Sequence, residues 1–173
     1  MKKLYPGLIA VLYCCSSFAQ VTYYKGEWTK INSEANFSGL LKLHISDSLV
    51  TGEIIWTYKA IDSTDDKLVK YYAGQKGKSG IEYVKGIYSP QTFDIQVEGF
   101  SKTDPDLIIG MDKYLLKLSL DRSSVYGRTL ADGENTGLVY FQKINSATGE
   151  KEFKILKAKI LLKSGDKALR KSF

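Results

Sequence analysis

The sequence predicts an all-β protein in which eight strands form an up-and-down antiparallel barrel. Short segments that alternate apolar and polar residues recur at even spacing between residues 23 and 144, and hairpin turns separate most of them. Glycine lies inside nearly every segment, and Gly26, Gly39 and Gly52 follow one another at equal spacing. Such glycines mark bends and close side-chain approaches, which a tightly curled sheet requires.

The clearest hairpin lies in "GLLKLHISDSLVTGEIIWTY", residues 39–58, with its turn at Asp47-Ser48. A two-residue turn places Gly39 opposite Trp56, and this parity separates apolar from polar side chains. The predicted inward face then holds the larger apolar groups: Phe37, Leu41, Leu43, Ile45, Val50, Ile54, Trp56 and Tyr58.

The outward face of the same hairpin carries the only histidine, His44. We expect it to be an ordinary solvated residue, with Leu40 and Ile55 beside it on the same solvent-facing side. A metal role is not predicted, since no second histidine and no cysteine exists in the domain to share a ligand set.

Two further hairpins are predicted downstream. One turns at residues 89–92, where Pro90 favours a type I turn, and it pairs Glu82 with Gly99 on the inward face. The other pairs Leu118 with Gly127 around a turn at 121–124. Strands at 23–31 and 136–144 bring the number to eight.

The predicted connections differ between the two ends of the barrel. One end carries the tight turns, at 47–48, 90–91 and 121–124. The other carries the longer connections, at 32–36, 60–79, 101–112 and 131–135. A ligand site is therefore expected at this second, long-loop end.

Six inward-facing residues form the candidate ligand site at that end. They are Phe37, Trp56, Tyr58, Glu82, Tyr114 and Thr129. An eight-stranded barrel is just wide enough to be filled by side chains or to hold one small ligand, and the many large inward groups favour a packed core with a shallow pocket. Glu82 is either a site residue or a sign that the predicted register slips, and the sequence leaves both open.

The 60–79 connection is long enough for a short helix. Ser63 can cap it, Asp65 and Asp66 suit its first turn, and Gly74 suits its exit. Its apolar side chains would then cover the barrel mouth as a lid or a plain cap: Leu68, Tyr71 and Tyr72. The sequence "GQKGKSG" lacks the first glycine of a phosphate-binding loop and leads into a strand, so we expect a flexible return.

The chain divides by charge into three segments. Residues 1–19 have a basic start, a short apolar run and Ser17-Phe18-Ala19 before a cleavage point at Gln20, as in a signal peptide. The barrel domain, residues 20–144, carries 15 basic and 16 acidic side chains. The C-terminal segment, residues 145–173, carries 8 basic and 3 acidic ones and is predicted as an amphipathic helix or an extra strand.

The residue inventory gives no catalytic constellation. There is one histidine, no Gly-x-Ser-x-Gly, and both cysteines, Cys14 and Cys15, lie in the predicted signal peptide. Three acids in "KTDPDLIIGMDK" lack the spacing of a calcium loop and are expected in a solvated turn: Asp104, Asp106 and Asp112. We expect no enzyme activity, cofactor, metal, nucleic-acid partner or transmembrane segment.

The first strand contains "GEW", Gly26-Glu27-Trp28, which resembles the opening of lipocalins and of avidin-type barrels. The resemblance implies a calycin-like barrel in which the tryptophan closes the bottom and the loop after strand one lies at the open end. The ending "FAQ" of the leader is similar to that of secreted barrel proteins of Bacteroidota, a resemblance that implies no activity.

These observations predict a periplasmic or secreted, non-enzymatic binding module. Its ligand would be a small apolar or glycan-like molecule, or a peptide, held at the long-loop end. The alternative is a structural or assembly component of the cell envelope that acts through a protein partner. A third hypothesis is a barrel enzyme using Glu82 with Tyr83 or Tyr114, and a lipoprotein anchored at Cys14 or Cys15 is the alternative for the leader.

Overall fold

A computed structural model describes residues 20–31, 35–61 and 66–171. Eight antiparallel strands follow one another in chain order and close into a barrel where the last pairs with the first, which confirms the predicted fold. The strands are β1 Gln20–Lys30, β2 Ala35–Ser46, β3 Leu49–Ile61, β4 Ser79–Ser89, β5 Asp94–Thr103, β6 Lys113–Leu118, β7 Ser124–Ala131 and β8 Glu134–Lys143. The helices are α1 Asp66–Tyr72 and α2 Ser146–Lys171. The predicted signal peptide and the predicted helix cap at Ser63 and Asp65 lie outside the described residues.

The β2–β3 hairpin has the predicted register. Gly39 lies opposite Trp56 and His44 opposite Thr51, with a bulge only at the far end, beside Phe37. A Cβ atom on Gly39 would lie 2.5 Å from the Trp56 ring, so the glycine leaves the space that the indole occupies. The predicted inward face is the core of the barrel.

The predicted register of the β4–β5 hairpin is wrong by two residues. The turn spans residues 90–93, with Phe93 in the left-handed region at φ 60°, so Val84 rather than Glu82 faces Gly99. An even shift keeps every side chain on its predicted face, because the side-chain period of a strand is two. A bulge beside Tyr83 then brings Lys102 opposite Glu82, which stays inward.

The β6–β7 hairpin differs from prediction in the same way. Its turn is 119–123, stabilised by the Asp121 carboxylate, which accepts hydrogen bonds from the Ser123 backbone and the Ser119 hydroxyl. Leu116 rather than Leu118 therefore faces Gly127, and Leu120 lies in the loop, 82% exposed.

The expected long connection at 131–135 is also wrong. Asp132 and Gly133 form a two-residue turn with φ 50° and 86°, the left-handed pair that matches the twist of a hairpin. The mouth of the barrel is therefore bounded by the two longer connections that carry α1 and residues 104–112.

The C-terminal segment is a helix rather than a strand. Asn145 caps α2, because its side-chain oxygen accepts hydrogen bonds from the backbone N–H of Ala147 at 3.0 Å and of Thr148 at 3.3 Å. Phe153 and Ile160 on α2 pack against outward-facing side chains of the barrel wall: Tyr23, Leu40, Ile55 and Ile81. The expectation that Leu40 and Ile55 are solvated is wrong, since α2 covers them.

Ion pairs join α2 to the outside of the barrel. Glu152 pairs with Lys25 at 2.7 Å, Lys163 pairs with Asp106 at 2.6 Å, and Lys157 pairs with Glu53. Two of the basic residues of this segment, Lys157 and Lys163, are therefore paired with acids of the barrel. In the described part of the chain, no helix combines the length and apolarity that crossing a membrane requires.

Two Gly→Ala substitutions should have opposite effects on stability. At Gly86 the new Cβ would overlap the backbone carbonyl of Gln96 on β5, and we expect a loss of about 2 kcal/mol or more. At Gly165, in the exposed face of α2, nothing lies within 4 Å, and we expect a gain of roughly 0.5–1 kcal/mol from helix propensity. Urea unfolding of both variants measures this, and equal effects would contradict the close strand approach at Gly86.

Candidate functional site

A cavity of about 210 Å³ lies at the long-loop end of the barrel. Strand ends form its walls, Tyr72 of α1 and the 104–112 loop cover it, and packed side chains fill the barrel below it. Its lining is Trp28, Lys30, Phe37, Trp56, Tyr72, Glu82, Ile108, Ile109, Gly110, Asp112, Tyr114 and Thr136. The lumen is thus mostly filled, with one small pocket at the predicted end.

The structure brings the six predicted site residues to this end in two layers. Phe37, Trp56, Glu82 and Tyr114 line the cavity itself. Tyr58 lies behind Tyr72, with the two rings stacked at 4.7 Å and 10°. Thr129 is fully buried behind Trp28, so neither Tyr58 nor Thr129 lines the cavity.

Glu82 is the polar centre of the site and is 1% exposed. Its carboxyl group accepts a hydrogen bond from Trp56 Nε1 at 3.2 Å, one from the backbone N–H of Asp112 at 3.1 Å, and a short one from the Tyr114 hydroxyl. Gly99 leaves the space that the carboxyl group occupies, because a Cβ there would overlap it. Glu82 therefore faces the inside of the barrel as predicted, although the residue opposite it on β5 is Lys102 and not Gly99.

Burial raises the pKa of Glu82 from 4.5 to about 7. The three hydrogen-bond donors oppose the shift, but loss of solvation outweighs them, and the neighbouring Asp112 adds to it. Burial, together with Glu82, raises the pKa of Tyr114 well above 10, so this phenol remains a donor. At neutral pH the protonated and ionised forms of Glu82 are both populated.

Asp112 is a site residue that sequence reasoning placed in a solvated turn. Its side chain lines the cavity beside Lys30, its backbone N–H donates to Glu82, and its carbonyl accepts from Gly99 at 2.9 Å. Burial raises the pKa of Asp112, and the charge of Lys30 opposes this. The alternation of β6 continues to Asp112, and that is the only signal that could have pointed to it.

The other two acids of this loop serve the fold. The Asp104 carboxylate is buried and accepts from the backbone N–H groups of Ile108 at 3.0 Å and Ile109 at 2.8 Å, which folds the loop over the mouth. Asp106 pairs with Lys163 of α2. The expectation of a solvated turn is therefore wrong for all three acids: the side chains of Asp104 and Asp106 are buried, and Asp112 lines the cavity.

Trp28 lies at the mouth and not at the bottom of the barrel. It is two residues from the end of β1, and β1 ends at the long-loop end, so the position implied by the lipocalin resemblance is wrong. Trp28 Nε1 donates to Thr129 Oγ1 at 2.9 Å, and Thr129 Oγ1 lies 2.8 Å from Thr136 Oγ1. Strand parity places this indole inward, and its position two residues before the end of β1 places it near the mouth.

Helix α1 covers the cavity with the ring of Tyr72. The ring of Tyr72 meets Phe37 edge-on at 6.3 Å in addition to its stack on Tyr58. The adjacent Tyr71 donates its hydroxyl to the carbonyl of Leu107 at 2.9 Å, which ties α1 to the 104–112 loop. The predicted exit glycine, Gly74, has φ 72°, the left-handed conformation that ends a helix.

No family model matches the chain, and neither a curated protein nor a solved structure matches it. The resemblance to lipocalins and avidins therefore stays a prediction, and the function has to be argued from the site.

The burial of Glu82 should make stability depend on pH. Its pKa is raised on folding, so the folded protein binds more protons than the unfolded chain between pH 4.5 and about 7, and stability falls as pH rises through this window. Glu82→Gln should remove this dependence, which amounts to about 2–3 kcal/mol between pH 5 and pH 8. Urea unfolding at both pH values measures it.

The matched control is Glu98→Gln, which removes the same charge from the exposed outer face of β5. This variant should keep the pH dependence of the wild type. If Glu82→Gln kept it as well, the carboxyl group would not carry the raised pKa.

Proposed function

We propose that the protein is an exported, non-enzymatic module that binds a small ligand in the cavity at the barrel mouth. The ligand is a small apolar or glycan-like molecule, or one residue of a peptide. The observation that carries this proposal is an aromatic-walled cavity with a few polar groups at its floor, as in small-molecule sites in general.

The size of the cavity limits the ligand. Drug-sized ligands occupy roughly 300–1,000 Å³, whereas an apolar cavity of about 150 Å³ takes up one benzene ring. A cavity of about 210 Å³ thus suits a group of one ring or its equivalent in size. A larger molecule or a peptide would insert only one such group.

Binding without catalysis is the proposal because the groups at the floor are fixed to one another. Glu82 already accepts three hydrogen bonds, and the raised pKa of Tyr114 makes it a donor and not a base. A carboxyl group with a pKa near 7 has the acidity of a general acid or base, which is the observation in favour of the enzyme hypothesis. Among the described residues, the lining holds neither histidine nor cysteine, and the Thr136 hydroxyl is hydrogen-bonded to Thr129.

A protein partner in the envelope is the second candidate function. The outer wall of β6–β8 exposes apolar and aromatic side chains that α2 does not cover: Leu115, Tyr126, Leu138 and Tyr140. Leu138 is 59% and Tyr140 47% exposed. Exposed apolar patches of this kind often mark protein-interaction sites.

Native mass spectrometry of the protein purified from its own cells tests the first proposal. We expect an added mass at one equivalent, lost in Tyr72→Ala, which removes an α1 ring from the cavity wall and leaves every strand residue unchanged. Tyr140→Ala removes the same ring from the outer wall and should keep the added mass. A loss of the mass in Tyr140→Ala, or a co-purified protein that only this variant releases, would favour the partner hypothesis.

A further inference from the structure

At the floor of the cavity, the Glu82 carboxyl group has no protein counter-ion in the part of the chain that the structure describes. Within the described ranges, Glu82 forms no ion pair, and the charged residue that acts on its pKa is another acid, Asp112. Lys102, opposite Glu82 in the β4–β5 register, donates instead to the carbonyl of Ile109 at 2.5 Å and lies 3.8 Å from Asp104. Lys30 acts on Asp112.

The walls around this floor are aromatic rings. Four of them line the cavity: Trp28, Phe37, Trp56 and Tyr72. Both indole N–H groups are already used, by Thr129 and by Glu82, so the two tryptophans present ring carbon to a ligand. Ring faces attract cations through their quadrupole, and the attraction grows when water is excluded.

A sugar would be served less well by this arrangement. Its hydroxyl groups need both donors and acceptors, yet the hydroxyls of Thr129 and Thr136 are bonded to each other and the Tyr114 hydroxyl is bonded to Glu82. The lining offers mainly ring and aliphatic carbon and carboxyl oxygen, with the Lys30 ammonium group as its one charged donor among the described residues.

We infer that the ligand of this cavity is a small organic cation, an ammonium group or an alkylated ammonium, held against Glu82 and Asp112 among the rings of Trp28, Phe37, Trp56 and Tyr72. The inference rests on the proposed function, because it names the class of ligand for the same cavity. The cation belongs either to a free amine or to the lysine side chain or amino terminus of a peptide.

Cation binding is coupled to the ionisation of the floor. Glu82 must be ionised to attract the ligand, so the affinity rises with pH until the carboxylate is fully formed, and Asp112 acts in the same direction. With a pKa of about 7 for Glu82, the affinity should fall about tenfold between pH 8 and pH 6. Tyr58, Tyr72 and Tyr114 have raised pKa values and stay neutral in this range.

Isothermal titration of the wild-type protein with choline and with its neutral isostere tests the inference. The isostere carries a tert-butyl group in place of the trimethylammonium group, so the pair differs in charge and hardly in shape. We expect choline to bind at least tenfold more tightly at pH 8, and its affinity to fall about tenfold at pH 6 while that of the isostere stays constant.

Two variants test whether Glu82 is the source of the preference for choline. Glu82→Gln should remove most of the preference for choline, while Glu98→Gln should keep it, and circular dichroism establishes that each variant is folded. The wild-type comparison of choline with its isostere does not depend on how Glu82→Gln folds. A butylamine titration set beside a lysine-ended peptide identifies the source of the cation, and binding of either supports the inference.

Glucose is titrated as the sugar control. The inference is overturned by equal affinities for choline and its isostere, by tighter binding of glucose than of choline, or by no binding of any of the cations. These outcomes leave the proposed function to its own test, since a stoichiometric added mass on the protein from its own cells would still establish a ligand. Absence of that mass, with binding of choline intact, would instead remove only the claim of a tightly retained ligand.

Discussion

The burial of one carboxyl group determines how the mouth of this barrel is built. Glu82 on β4 is held by an indole from β3, a phenol from β6 and a backbone N–H from the 104–112 loop. Each of these donors would be left unpaired in an apolar interior without the carboxyl group. The Glu82 interaction therefore joins three strands of the barrel to the loop that covers it.

The two segments that cover the cavity, the 104–112 loop and α1, are also joined to each other. The Asp104 carboxylate folds the 104–112 loop, and the Tyr71 hydroxyl fastens α1 to it, so the cover of the cavity is one connected unit. Tyr72 completes that unit by stacking on Tyr58. The glycines at 39 and 99 matter for the same reason, because they leave the space for Trp56 and for Glu82.

The sequence was sufficient for the fold and for the faces of the strands, because alternation has a period of two and survives an even error in register. The hairpins at Phe93 and Leu120 illustrate this, since a register shift of two residues left the paired strand residues on their predicted faces and moved only Leu120, now in the turn, out to solvent. Turn length itself depends on side-chain hydrogen bonds such as those of Asp121, which alternation does not encode. The role of Asp112 depends on contacts between distant segments, and so does the choice of helix over strand for α2.

The distribution of charge gives the cavity its chemical character. On the outside of the barrel, the acids beneath α2 have basic partners: Glu53 pairs with both Lys42 and Lys157, and Asp106 pairs with Lys163. The chain is rich in lysine, so a partner for Glu82 would have been easy to supply from a neighbouring strand. Lys102 stands opposite Glu82 and yet binds the covering loop instead. Ionising a buried carboxyl group costs several kcal/mol, and hydrogen bonds and a raised pKa, rather than an ion pair, compensate for this at Glu82. The inner acid of this barrel therefore differs from Glu53 and Asp106 in having no lysine partner among the described residues, and this difference is the basis for inferring a cationic ligand.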